Sequence, residues 1–120
     1  MATSMIQSNN NEVFTFTGTT YPSGELVIDN LQDYKYALIV FSYADTYNYL
    51  DSVDIPTDEI GKIFFLSTYQ LSGVSTYAAF RNVIVDNGKL TFGNGVLRID
   101  MQTVTTNNTY AIPRRIILHN

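Results

Sequence analysis

The chain has 120 residues, no cysteine, 45% apolar residues and a formal charge of −4 at neutral pH. That length fits one domain with a sizeable core and no covalent staples. The absence of cysteine excludes disulfides, thiol nucleophiles and cysteine-type zinc sites, and the acidic balance argues against nucleic acid or anionic lipid as partners.

Charged residues are only 15%, well under the usual quarter, so Thr, Ser, Asn, Gln and Tyr must coat the surface. Such uncharged polar surfaces suit all-β proteins that bind or assemble. Met1 to Asn11 is polar, lacks the basic start and apolar centre of a signal peptide, and reads as a tail or the cut end of something longer. Residues 12–120 read as a single domain, and no apolar run is long enough to insert in a membrane.

Val13 to Thr17 alternates as a short strand, and Pro22, Ser23 and Gly24 make a turn before Glu25 to Ile28 resumes extended structure. Asp29 to Asp33 turns again and leads into Tyr34 to Tyr43, the stretch around which the fold is expected to form. Its run Ala37, Leu38, Ile39, Val40, Phe41 places apolar groups on both faces of a strand and asks for cover above and below. A helix is the alternative, but β-branched and aromatic content, short length and turn-like flanks favour a central strand. The five residues between these two strands suggest a hairpin.

Leu50, Val53 and Ile55 form a brief edge strand closed by Pro56, and Thr57, Asp58, Glu59 can start one helical turn that Gly61 stops. Lys62 to Gln70 is a second apolar strand. Ser75 to Val85 sets Tyr77, Ala79, Arg81, Val83 and Val85 on one face and Ala78, Phe80, Asn82 and Ile84 on the other. Asn87-Gly88 predicts a type I′ hairpin joining Arg81–Asp86 to Lys89–Phe92. Val96 to Gln102 reads as one strand with Leu97, Ile99 and Met101 inward, Thr103 to Thr109 as a polar loop, and Tyr110 to Leu118 as a last strand whose Pro113 calls for an edge or a bulge. Eight or nine short strands with turns between them and no long helix predict an all-β, antiparallel β-sandwich of jelly-roll type.

His119 is the one histidine and stands next to the last residue, so a catalytic relay or a metal site built on it would rest on a terminus; an exposed residue is the expectation. Asp51, Asp54, Asp58 and Glu59 are the acidic cluster. Their spacing fits no calcium loop, and acids of this kind commonly solubilise edges and helix starts, so they read as structural. Arg114 and Arg115 point to opposite faces, and one should meet a carboxylate. No phosphate loop or metal pattern is present, and no cofactor is expected.

The more suggestive group is Tyr43, Asp45, Tyr47, Asn48 and Tyr49, a polar loop rich in aromatic rings. Tyrosine offers a flat apolar face and a hydroxyl, and Asp and Asn bond hydroxyls, which suits a sugar ring or a protein partner. Packing of these tyrosines as cross-strand pairs is the competing reading. Tyr69 and Tyr77 carry the same two readings.

Gly24-Glu25-Leu26-Val27-Ile28, Leu31, Tyr34-Lys35-Tyr36-Ala37-Leu38-Ile39-Val40 and Val53-Asp54-Ile55-Pro56 come in this order, followed by Ala78-Ala79-Phe80-Arg81, Leu97-Arg98-Ile99-Asp100 and Ile112-Pro113-Arg114-Arg115-Ile116-Ile117-Leu118. From Glu12 onward this succession resembles the C-terminal head domains of bacteriophage tail-fibre and baseplate-appendage proteins, especially those of phages on Gram-positive bacteria. The resemblance implies a β-sandwich, a homotrimer about a fibre axis, location in the virion among other virion proteins, and attachment to a host surface receptor such as cell-wall polysaccharide. It implies no catalytic residue. A trimer would also cover apolar strand faces that one subunit leaves open. A capsid decoration or head-fibre assembly subunit is the runner-up, and a small carbohydrate-active enzyme using the acidic cluster the third reading.

Overall fold

The computed structural model describes residues 11–120, without the side chains of residues 103 and 104. The tail expected before Glu12 lies, but for Asn11, outside the described residues. The described residues form ten strands: β1 (Glu12–Thr15), β2 (Gly24–Val27), β3 (Tyr36–Ser42), β4 (Leu50–Pro56), β5 (Ile63–Ser72), β6 (Ser75–Asp86), β7 (Lys89–Phe92), β8 (Val96–Ile99), β9 (Gln102–Thr106) and β10 (Ile112–His119). A single 3-10 turn at Leu31–Asp33 is the helical content of the described residues.

Two antiparallel sheets make the sandwich. The first runs β1-β10-β3-β4 and the second β2-β7-β6-β8-β9, with β5 on the opposite flank of β6. β7 and β8 follow one another along one side of β6, facing Val83–Asp86 and Tyr77–Phe80 respectively. Alternation between sheets by β1, β2, β3, β7 and β10 is jelly-roll-like, whereas β3–β4 and β5–β6 remain hairpins within one sheet. β1 enters beside the end of β10, with Glu12 opposite Ile117.

The inner faces carry the core: Ala37, Ile39 and Phe41 from β3, Ile55 from β4, Leu66 from β5, Ala79, Val83 and Val85 from β6, Leu90 and Phe92 from β7, and Ile116 and Leu118 from β10. Each fully buried large side chain contributes about 1.5–3 kcal/mol. β3 is central, between β10 and β4. Its two faces differ: the inner residues are sealed, while Leu38 and Val40 are only half-buried on the outside. β4 is an edge strand ending at Pro56, and the alternation expected along β6 holds.

Four local expectations change. The segment from β2 to β3 is a crossing between sheets and no hairpin, because Leu31 plugs the core from its 3-10 turn and the Ile28 N–H bonds the Gly88 carbonyl at 2.8 Å. No helix starts at Thr57; its hydroxyl donates to the Tyr34 carbonyl instead of capping a turn. The β6–β7 hairpin forms at Asn87-Gly88, but only Gly88 takes a positive φ, at 68°, so the turn is not type I′. Gln32 clasps this turn, accepting from the Gly88 N–H at 2.8 Å and donating to Asp86 and Thr57 carbonyls at 2.9 and 3.0 Å.

The fourth is the stretch from Val96 to Thr109: the expected single strand breaks into β8 and the start of β9, and β9 takes up the first part of the polar loop expected over Thr103 to Thr109 because it pairs back on β8. Asp100 and Met101 turn the chain with φ of 51° and 71°, placing the I′-like hairpin here, with Ile99 opposite Gln102. Asp100 secures the turn by accepting from the Thr76 N–H at 2.9 Å. Met101 is therefore exposed rather than inward. Pro113 lies in an inner strand, at a register shift between Pro113 and Arg115; the bulge, not an edge, accommodates the missing N–H.

Two arginines are fully buried at the loop end of the sandwich. Arg81 spends all five donors on carbonyls: Ala111 from Nε at 2.9 Å, Tyr21 and Gly93 from Nη1 at 2.8 and 2.9 Å, and Asn108 and Tyr110 from Nη2 at 3.4 and 3.0 Å. Burial pulls its pKa down to about 10, partly offset by Tyr21, so it stays charged at neutral pH. Arg114 donates to Ser42 Oγ at 3.0 Å and to the Phe16 and Gly18 carbonyls at 3.2 and 2.6 Å. Burial likewise lowers its pKa.

Candidate functional site

The tyrosine loop is a closed knob at this same end. The Tyr43 N–H donates to the Tyr49 carbonyl at 3.1 Å, pinching the loop at its base. Tyr43 is half-buried and meets Tyr110 edge to face at 5.8 Å, and burial raises its pKa. Tyr47 lies on the Arg114 guanidinium, 4.6 Å from ring centre to Cζ, and its hydroxyl donates to the Phe16 carbonyl at 3.0 Å. These two tyrosines therefore hold the loop, although Tyr47 remains 44% exposed. Asp45, Asn48 and Tyr49 are exposed, and Tyr49 sits at a φ of 58°. A bulky residue in that region is strained, and its ring stands largely in solvent.

A second feature, which includes Tyr69, covers the outer face of the second sheet. On β5 the outward positions are Ile63, Phe65, Ser67, Tyr69 and Leu71, and the large ones are 53%, 54%, 63% and 79% exposed in order. β6 adds Ala78, Phe80 and Ile84, and β8 adds Val96 and Arg98. Phe65, Ser67, Tyr69, Ala78, Phe80, Arg98 and Met101 line a cleft of ≈330 Å³. Arg98 lies over the Phe80 ring at 4.6 Å, and its buried Nε has no acceptor among the described residues. Met101, 76% exposed at positive φ, forms the rim. The signal was present in the sequence: aromatic and aliphatic groups occupy both parities of β5, so one set had to face out.

The acids do not converge. Asp51 accepts from the Ser52 N–H at 2.8 Å, while Asp54, on the other face of β4, meets His119 Nε2 at 2.8 Å. His119 also stacks on Tyr36 at 5.3 Å, so it is held in the sheet and not loose at a terminus. Among the described residues no three His, Asp or Glu side chains come together as a metal site. Arg115 meets Glu12 through two donors at 2.9 and 2.7 Å while Arg114 turns inward, as their adjacency in a strand requires. Tyr77 points inward, near Tyr43.

The site, then, is an aromatic cleft holding one cation, with a rigid tyrosine knob elsewhere on the same domain. Compared with family models, curated proteins and solved structures, the chain finds no match among them.

Proposed function

We propose that this chain is a non-catalytic attachment module that works as an oligomer, most simply a homotrimer, in the manner of the virion-appendage heads that its sequence resembles. The observation carrying the reading is the apolar outer face of β5 and β6. Four of its large side chains are more than half exposed, and monomeric proteins rarely leave such a contiguous patch open. β5 pairs only with β6 among the described residues, and its ten residues contain no proline and no charge. Edge strands that stand alone are usually blunted by such groups.

The size is adequate for self-association. Ten residues at 3.3 Å make a face about 33 Å long, and three to four strands at 4.8 Å make it about 15 Å wide. That is about 500 Å² per copy, or about 1,000 Å² in a contact, the scale a specific interface needs. Host recognition, through a cell-wall saccharide or a surface protein, is what the resemblance adds.

Light scattering at micromolar concentration tests this. A threefold mass is expected, falling to the monomer in Phe65→Glu combined with Leu71→Glu. A monomeric unsubstituted protein overturns the reading. Binding of the oligomer to isolated host cell walls then separates attachment from a purely architectural virion subunit.

A further inference from the structure

We infer that the tyrosine loop of one copy seats in the Arg98 cleft of the next, so that the oligomer is held by a head-to-tail contact. This rests on the oligomeric reading above and names its interface.

Both halves are built in advance. The knob is closed at its base by the Tyr43–Tyr49 bond and seated on Arg114 through Tyr47, so little freedom is lost when it docks. Tyr49 and Leu50 project from it, 64% and 50% exposed. The cleft is equally fixed, with Met101 held at its rim by the Asp100 turn. Each partner keeps a bulky residue, Tyr49 or Met101, in a strained backbone region that glycine would occupy at lower cost. Such strain persists where the side chain is needed in that place.

Charge selects the pairing. Over the outward positions of β5, of β8, and of β6 from Thr76 to Ile84, Arg98 is the one charged group, and its Nε–H lacks an acceptor among the described residues. Exposed aromatic and aliphatic groups flanked by carboxylates occur together at Asp45, Tyr47, Tyr49, Leu50 and Asp51. A tyrosine ring entering between Phe65, Tyr69 and Phe80 brings a carboxylate toward Arg98 and satisfies the orphan donor. Two copies joined face to face would instead bring both Arg98 charges into one apolar contact and leave the knob unused. A face-to-face contact is two-fold and gives a dimer; a head-to-tail contact that closes gives a ring such as a trimer.

The test is a charge exchange in the full chain, read by light scattering and sedimentation, with circular dichroism confirming the fold. Arg98→Glu alone, and Asp45→Lys with Asp51→Lys alone, should each weaken association at least about tenfold, since like charges then face each other. Combining the three substitutions in one chain should restore the oligomer, because every contact of the ring then pairs opposite charges with their sides exchanged. If Phe65→Glu with Leu71→Glu dissociates the oligomer while both charge variants leave it unchanged, the knob-in-cleft contact is wrong and the oligomeric reading survives. If the unsubstituted chain is a monomer, both fall.

Discussion

Arg81 Nε donates to the carbonyl of Ala111 at 2.9 Å, so a side chain in the middle of β6 fixes the backbone where β10 begins. The other four donors of that guanidinium hold the same β9–β10 connection at Asn108 and Tyr110 and two further loops at Tyr21 and Gly93, and no carboxylate takes part among the described residues. The guanidinium charge is solvated here by carbonyl dipoles.

Arg81→Lys should therefore lower stability by roughly 3–5 kcal/mol, the cost of breaking a buried charged network. An ammonium offers three donors from a single point and cannot reach five carbonyls spread around a planar fork. Urea unfolding at pH 7 measures this. A loss below about 1 kcal/mol would mean that water replaces the fork without cost.

Gly95 and Gly93 should respond differently to alanine. A Cβ on Gly95 would lie 2.6 Å from the Asn107 carbonyl oxygen, closer still to that of Tyr110, and 3.0 Å from Arg81 Nη2. Backbone atoms locked by Arg81 cannot retreat, so Gly95→Ala should cost about 2–3 kcal/mol. At Gly93 the nearest atom is Asn82 Cβ at 3.4 Å, an ordinary contact, and Gly93→Ala should stay within about 1 kcal/mol. Thermal midpoints of the two variants make the comparison.

Met101→Gly should stabilise the isolated subunit by about 0.5–1 kcal/mol, because relief of the positive φ outweighs the added freedom of glycine in the unfolded chain. The same change should weaken association by removing the cleft rim. Chemical unfolding of the dissociated Phe65→Glu, Leu71→Glu background reports the first effect, and sedimentation of the otherwise unsubstituted chain reports the second.

Glu12 gives the molecule a defined acid response. Its pKa is lowered by hydrogen bonds from Arg115 and then from Thr15, against a small opposing effect of burial. A depressed carboxylate contributes stability above its unfolded pKa and loses it as pH falls through the lower folded value. For this exposed pair the contribution is at most about 1 kcal/mol and shrinks with salt. The urea midpoint should fall between pH 5 and pH 3, and Glu12→Gln should remove part of that slope at low salt while leaving it unchanged in 1 M salt.

Much of the fold was legible because alternation is a local property. β3, β4, β5, β6 and β7 stand within a few residues of where apolar runs and Gly, Pro and Asn clusters place them. The β8–β9 turn was not, since Asp100-Met101 carries no glycine or asparagine and its positive φ values are sustained by tertiary contacts with Thr76. Sheet membership was hidden for a related reason: Leu31 sends the chain across the sandwich, and nothing in the short connection between β2 and β3 encodes which sheet comes next. The tyrosine loop could be read as a group. Its support by Arg114 could not, because that pairing joins residues distant in sequence. Alternation marked Arg81 for an inner face, but five scattered carbonyl partners leave no pattern along the chain.

Because Glu12 lies opposite Ile117 at the rim of the first sheet, the chain enters and leaves the domain at one pole. Tension applied through both ends peels β1 from β10 one hydrogen bond at a time, like opening a zipper, rather than shearing the whole ladder at once. Tension applied through one end and carried out through the opposite pole crosses the Arg81 and Arg114 ties instead. The domain is thus mechanically anisotropic, soft along one line of pull and stiff along another.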